Sequence, residues 1–218
     1  MDHRTEKRTG VARKLVSNRH CIDRGSACPC QGGIETIQYG IALTETQNLL
    51  ERISTLRETE LRKAARRERL QLVHVHILEY LAECNRYSNT TLAVSEFLGQ
   101  TKGTMSQSLK LLEEKEFLVR EADLDDRRVV RLSLTTSGKQ LLQRIRAGLP
   151  RLEKEDKALL NPLRSLLRTW QKDRGYAAFG LCYTCKYNLR LEGEQFRCGL
   201  TGEDLKEVET KKICREHA

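Results

Sequence analysis

From residue 44 to about 67, Leu49, Leu50, Ile53, Leu56, Leu61 and Ala64 recur at helical spacing, with Glu and Arg filling the other face. This pattern predicts a long amphipathic helix. Residues 70–84, LQLVHVHILEYLAEC, are denser in apolar positions and predict a more deeply buried helix, ended by the polar turn Asn85, Arg86, Tyr87, Ser88, Asn89. Thr90 or Thr91 is placed to cap a short helix carrying Leu92, Ala93, Phe97 and Leu98, and Gly99 stands where a left-handed stop is wanted. Two residues on, Thr101 caps another helix. Its Met105, Leu109 and Leu112 fall on one face, and Lys102, Thr104, Ser106, Gln107 and Lys110 on the other.

After it, Leu118 and Val119 begin an extended segment, and Val130, Leu132 and Leu134 alternate with Val129, Arg131 and Ser133 around a charged tip, Asp123-Leu124-Asp125-Asp126-Arg127-Arg128. Thr135 or Thr136 then caps a helix whose Leu141, Leu142, Ile145 and Leu149 run to Pro150, and Asn161-Pro162 reads as an N-cap with a first-turn proline opening a last helix. Short helix, tight turn and second helix with a small-polar, basic outer face make a helix-turn-helix, and the ribbon behind it makes a two-stranded wing. The fold class expected is mainly α with a small β-wing. Aspartates at the tip can hold an arginine extended toward a narrow minor groove, where the potential is most negative. The apolar stripe Leu163, Leu166, Leu167 and Trp170 exceeds what one such domain can bury, so the last helix is expected to pair with the first helix of a second copy, giving a homodimer. Two-fold symmetry would then set two recognition helices about 34 Å apart, one turn of DNA.

Over about 42–172 these residues resemble the MarR family of bacterial transcriptional regulators. The most specific stretch is DLDDRRVVRLSLTTSGKQLL, similar to the family's wing pattern of Asp, two residues, Asp, Arg, Arg, then hydrophobic alternation, Leu-Thr and Gly. The resemblance implies a winged helix-turn-helix with long dimerisation helices that binds palindromic double-stranded DNA as a dimer, as a repressor by expectation, and it leaves room for a small-molecule effector. It assigns the minor-groove contact to Arg128, supported by Asp126 and Arg127, and the major-groove face to Thr104, Ser106, Gln107 and Lys110. One departure stands out. Glu116 occupies the place where the family usually has Gly after the recognition helix, so the helix end needs another cap or a strained left-handed residue.

At 218 residues and 39% hydrophobic, the chain can hold one ordinary domain plus an appendage, or two small domains. A net charge of +9 favours anionic partners without choosing nucleic acid over membrane. No run approaches the ~18 apolar residues of a membrane span, and MDHRTEKRTG has no apolar stretch behind it to make a secretory signal. The chain is therefore read as cytoplasmic, with no membrane partner. Residues 1–40 read as a flexible basic arm punctuated by GSACPCQGG, residues 41–175 as the winged helix and dimerisation domain, and residues 176–218 as a separate cysteine module. There is no Gly-rich phosphate loop, Ser/His/Asp constellation or catalytic carboxylate pair, so no enzyme is expected. RNA binding is disfavoured because only 5% of residues are aromatic.

Eight cysteines in a reducing compartment raise the question of metal or redox chemistry. Cys182, Cys185, Cys198 and Cys214 form C-x2-C, x12, C, x15, C, four soft ligands suited to tetrahedral zinc or an iron–sulfur cluster, with zinc favoured. The segment has few core-sized residues, so a metal staple would supply folding energy that burial cannot. Lys186, Arg190, Arg197, Lys212 and Arg215 are candidates to offset the thiolate charge or are surface charges, and His217 is a substitute ligand. Cys21, Cys28 and Cys30 carry no assigned role, Cys84 reads as a small buried hydrophobe, and His74 and His76 as core or edge histidines. The expected function is a DNA-binding regulator whose cysteine site is structural or senses metal or redox state. The alternative is a metal- or redox-binding protein in which the winged helix is a protein-interaction scaffold.

Overall fold

The order of elements follows from where the chain supplies caps. In the computed structural model, which describes residues 43–124, 126–150 and 156–218, α1 spans Glu45–Arg67 behind Thr44, whose hydroxyl accepts from the Gln47 N–H while Gln47 Oε1 accepts from the Thr44 N–H. This reciprocal pair satisfies two donors that a helix start otherwise leaves open. α2 is Leu72–Glu83. Thr90 caps α3 (Thr91–Leu98), which Gly99 ends at φ +61°, and Thr101 caps α4 (Lys102–Glu114). β1 (Leu118–Ala122) and β2 (Val130–Leu134) pair antiparallel, with Leu118 opposite Leu134 and Arg120 opposite Leu132. Thr135 caps α5 (Thr136–Ala147). The helices and wing enclose one core in which Leu61, Val75, Ile77, Leu78, Met105, Leu109, Leu112, Leu132 and Leu141 are essentially fully buried. Each such side chain contributes about 1.5–3 kcal/mol. The arm expected over 1–40, with Cys21, Cys28 and Cys30, lies outside the described residues, as does Asp125.

The helix end at Glu116 resolves in favour of strain. Lys115 is the C-cap and Glu116 adopts φ +58°, while the Glu116 and Phe117 N–H groups donate to the carbonyls of Glu113 and Leu112, both at 2.9 Å. The left-handed residue therefore closes the helix as a glycine would, at the expense of a Cβ clash of about 1–2 kcal/mol. Glu116→Gly is expected to raise stability by about 0.5–1 kcal/mol, the relieved clash less the backbone entropy glycine loses on folding. A urea midpoint that stays put or falls would remove this account of the turn.

The last long helix, α6, spans Lys157–Asp173 and starts earlier than Asn161-Pro162 suggested. Asp156 is the N-cap, its Oδ1 accepting from the Ala158 N–H at 2.8 Å, and Pro162 lies inside the helix. Two good caps one turn apart compete here. The earlier start adds Leu159 and Leu160 to the apolar stripe, and Pro162 removes only the one bond to Ala158. Gly175, at φ +65°, follows the helix end at Arg174.

The cysteine segment is built from short strands. β3 (Gly180–Leu181) pairs with β7 (Ile213–Cys214), while β4 (Asn188–Arg190), β5 (Phe196–Cys198) and β6 (Asp204–Leu205) form a three-stranded sheet, and α7 (Glu207–Thr210) precedes β7. Together with the winged helix these elements make one compact unit, 43–218. Phe179 enters the core edge-on to Phe97 and Tyr80, with ring centroids 5.1 and 6.1 Å apart. Such aromatic pairs add about 0.5–1.5 kcal/mol each beyond area burial. No helix among the described residues is long and apolar enough to cross a membrane.

Candidate functional site

On α4, Met105, Ser108, Leu109 and Leu112 face the core, and Lys102, Thr104, Ser106, Gln107 and Lys110 are all exposed. The split follows from the 3.6-residue period. Lys110 sits 3.7 Å from Glu114, a loose surface pair that leaves its charge available. On the wing, the Arg128 side chain is 91% exposed. Asp126 Oδ1 accepts from both the Arg128 backbone N–H and its Nε–H at 3.0 Å, and Asp126 Oδ2 accepts from Nη2 at 3.2 Å. These bonds hold the Asp126 carboxyl below its ordinary value. The aspartate thus does what the tip sequence predicts, orienting one guanidinium without burying it. Arg127 is also exposed. Arg131, by contrast, is committed to structure: its Nε–H donates to Asp123 Oδ2 at 2.6 Å and its Nη1 to the Tyr87 carbonyl at 3.1 Å.

Residues 70–130, from the start of α2 through the helix-turn-helix to the first residue of β2, match the model of the MarR family. That stretch is similar to the MarR family over the helix-turn-helix and the first strand of the wing. Solved structures are similar to the chain as well. A point mutant of MepR from S. aureus bound to an oligodeoxyribonucleotide shares 20% identity at TM-score 0.42, covering 61% of this chain and 99% of that one. CouR from Rhodococcus jostii RHA1 bound to p-coumaroyl-CoA shares 22% at TM-score 0.48, covering 58% and 91%. Wild-type apo MarR from E. coli shares 15% at TM-score 0.44, covering 59% and 98%. No curated protein sequence matches the chain.

Beyond the winged helix, the fold brings Cys182, Cys185, Cys198 and Cys214 to the walls of one small cavity of about 40 Å³, which Asn85 and Tyr87 also line. Among the described residues, no group of three or more His, Cys, Asp or Glu side chains is already gathered as for a bound ion; the thiols border a shared space and would have to draw inward to ligate. Each of the four sulfurs has a hydrogen-bond donor at hand. Asn188 Nδ2 donates to Cys182 Sγ at 3.3 Å, and the Ala218 N–H to Cys185 Sγ at 3.4 Å. Burial pushes the Cys214 thiol up against hydrogen bonds from the Asn85 side chain, the Glu216 backbone and the Ser88 side chain. Burial works against ionisation of Cys198 too, but the Thr201 and Leu200 backbone and the Thr201 hydroxyl outweigh it and hold that thiol below its ordinary value. Cys182 is pushed up by burial first and then by the other three cysteines. Four thiolates here need a cation between them, and four soft sulfurs served by such donors are the donor set for a thiophilic ion.

Other expectations sort differently. His217 is engaged elsewhere: its Nε2 pairs with Thr184 Oγ1 at 2.8 Å and its ring lies against Gly180, so it borders a neighbouring groove and is no substitute ligand. The basic residues proposed to offset thiolate charge are mostly engaged away from sulfur. Arg197 pairs with Asp204 at 2.8 Å, Arg215 with Glu96 at 2.5 Å, Arg190 with Glu194 at 3.7 Å, and Lys212 Nζ donates to the Ala82 carbonyl at 2.6 Å. Cys84 is a half-buried neighbour of the core, its thiol pushed up to about 12 by burial. His74 is buried, and its Nδ1 accepts from the Gln71 N–H at 3.1 Å, a core histidine that also closes the start of α2. Sequence reasoning missed Asn85 and Ser88, whose polar turn signals only a helix end.

Proposed function

We propose that this protein is a transcriptional regulator that binds double-stranded DNA as a homodimer, acting by occupancy as a repressor, and that its four C-terminal cysteines hold a zinc ion. The observation that carries the DNA reading is the wing tip: a guanidinium 91% exposed, oriented by a carboxylate and projecting from a two-stranded ribbon. It accompanies a recognition helix whose exposed face is Lys, Thr, Ser, Gln and Lys. The cationic residues supply phosphate attraction, and an arginine at a wing tip suits the narrow minor groove.

Dimerisation is supported by unfinished burial. No residue of α6 is buried, and Leu159, Leu163, Leu167 and Trp170 remain 40–50% exposed, while Leu49, Ile53 and Leu56 of α1 are exposed too. Leu50, Leu163, Leu166, Leu167 and Trp170 line a groove of about 490 Å³ between α1 and α6. A second copy laid across it would cover a contiguous apolar patch that soluble monomers rarely leave open. For the metal, the small cavity has room for a single ion more readily than for a multinuclear cluster, which favours zinc.

The test uses a duplex selected from a randomised pool. Arg128→Ala is expected to weaken binding by about tenfold or more while leaving the sedimentation mass at twice the 25.1 kDa of the chain. Unchanged affinity would remove the wing-tip assignment, and a monomeric mass for the unmodified protein would remove the dimer.

A further inference from the structure

The thiol cavity and the wing are joined through one short segment, residues 85–89. On one side, the strand that carries Cys214 is zipped along it: the Asn85 N–H donates to the Ile213 carbonyl at 2.9 Å, the Arg215 N–H donates to Ser88 Oγ at 2.8 Å, and Cys84 and Ile213 form a parallel bridge. Asn85 also lines the cavity beside Cys214. The same Asn85 carboxamide shapes the turn, its Oδ1 accepting from the N–H groups of Tyr87 and Ser88 at 3.2 and 3.0 Å.

On the other side, residues 87–89 hold the wing. The Leu132 N–H donates to the Asn89 carbonyl at 2.8 Å, Asn89 Nδ2 donates to the Leu132 carbonyl at 3.2 Å, and Arg131 Nη1 donates to the Tyr87 carbonyl at 3.1 Å. From Arg131 the bonds continue through Asp123, whose Oδ1 accepts from the Asp126 N–H at 3.1 Å, to Asp126, which holds Arg128. A series of hydrogen bonds therefore runs from the strand that carries a candidate metal ligand to the arginine at the wing tip.

We propose that ion occupancy at the four-cysteine site sets the position of the wing through residues 85–89, so that metal loading raises affinity for duplex DNA. This rests on the metal reading above. Drawn onto an ion, Cys214 tethers the strand that carries it, and with that strand the bonds that the Ile213 carbonyl accepts from the Asn85 N–H and that the Arg215 N–H donates to the Ser88 hydroxyl. They fix the turn in the conformation that pairs with β2. Without the ion that strand is untethered, the turn loses its anchor, and β2 loses the strand partner at its edge. Coupling of this kind is reciprocal: if zinc tightens DNA binding by a given factor, DNA tightens zinc binding by the same factor.

The experiment compares zinc-loaded and chelator-stripped full-length protein, kept reduced, for affinity toward a duplex selected with the loaded form. Zinc content and amide exchange at Leu132 are measured in parallel. Stripping is expected to weaken binding by about tenfold, within the usual range for coupled sites, and to speed exchange at Leu132. Asn89→Ala combined with Arg131→Ala, which removes the side-chain bonds to the Leu132 and Tyr87 carbonyls, is expected to keep one zinc per chain yet bind DNA equally, within about twofold, whether loaded or stripped. Equal affinity of loaded and stripped unmodified protein, with one zinc per chain when loaded, would overturn the coupling and leave the metal site standing. A tenfold difference that survives in this double variant would overturn the route through residues 85–89. Protein that takes up no zinc would remove the metal reading and the coupling with it.

Discussion

Cys182→Ser combined with Cys185→Ser is expected to abolish stoichiometric metal and to unfold the cysteine segment while the winged helix stays folded. The segment has little else to hold it. Phe179, Cys182 and Leu205 are its only buried hydrophobic residues among those described, and its strands are two or three residues long. Burial on that scale supplies a few kcal/mol, against about 10–16 kcal/mol for a structural zinc bound by a small domain. Serine replaces two soft sulfurs by hard, protonated oxygens that a zinc site of this type does not use. The core of the winged helix is drawn from α1 to α5 and the wing and touches the segment mainly through Phe179. Elemental analysis and amide exchange report the two halves separately. One zinc per chain in the double variant would sink the ligand set. A brown unmodified protein containing iron and acid-labile sulfide, purified without oxygen, would replace zinc by a cluster on the same four sulfurs.

Gly138→Ala is expected to destabilise the whole unit by about 3 kcal/mol or more. A Cβ at that position would lie 2.0 Å from the Phe117 carbonyl oxygen and 2.9 Å from its carbon, both backbone atoms that cannot swing aside. They are pinned by their neighbours: Glu116 is left-handed, Thr135 Oγ1 donates to the Glu116 carbonyl at 2.6 Å, and the Thr135 N–H donates to the Phe117 carbonyl at 3.2 Å. Thr135 also accepts from the Gly138 N–H at 3.0 Å, so the first turn of α5 wraps over the exit from α4. Moving any of these groups breaks a cap or a turn, which places the substitution among the strongly destabilising kinds. Urea unfolding measures it, and a loss below about 1 kcal/mol would show that the turn yields.

Much of the fold was legible because its signals are local. Thr90, Thr101 and Thr135 cap the three helices they precede, and Gly99 ends one of them in the left-handed region, each decided by a few neighbouring residues. The wing was legible through its run of Asp and Arg, since Asp126 and Arg128 are two positions apart and bond directly. The start of α6 was not, because Asp156 and Asn161 offer equivalent chemistry and the helix stripe that favours the earlier one extends only a turn. The spacing of the four cysteines marked them as a set and the fold draws them around one space, but the polar residues that serve them were invisible. The Ser88 hydroxyl meets the Arg215 N–H from 127 positions away, and no pattern along the chain records such a contact. His217 was misplaced for the related reason that closeness in sequence to Cys214 says nothing about which way its ring turns.

The docking of the cysteine segment is written on the winged helix as much as on the segment itself. Arg86 reaches Glu203 and Glu209, Glu96 receives Arg215, Ser88 receives the backbone at 215, and Tyr80 and Phe97 form the seat for Phe179. The segment is therefore not a portable tag. Fusing residues 176–218 to another winged helix would transplant the thiols without the floor they stand on, and a working chimera would have to carry over these helix-turn-helix residues as well. The two parts of the chain have to change together, and a substitution at Arg86 or Phe97 is as much an alteration of the cysteine site as one within the cysteine segment itself.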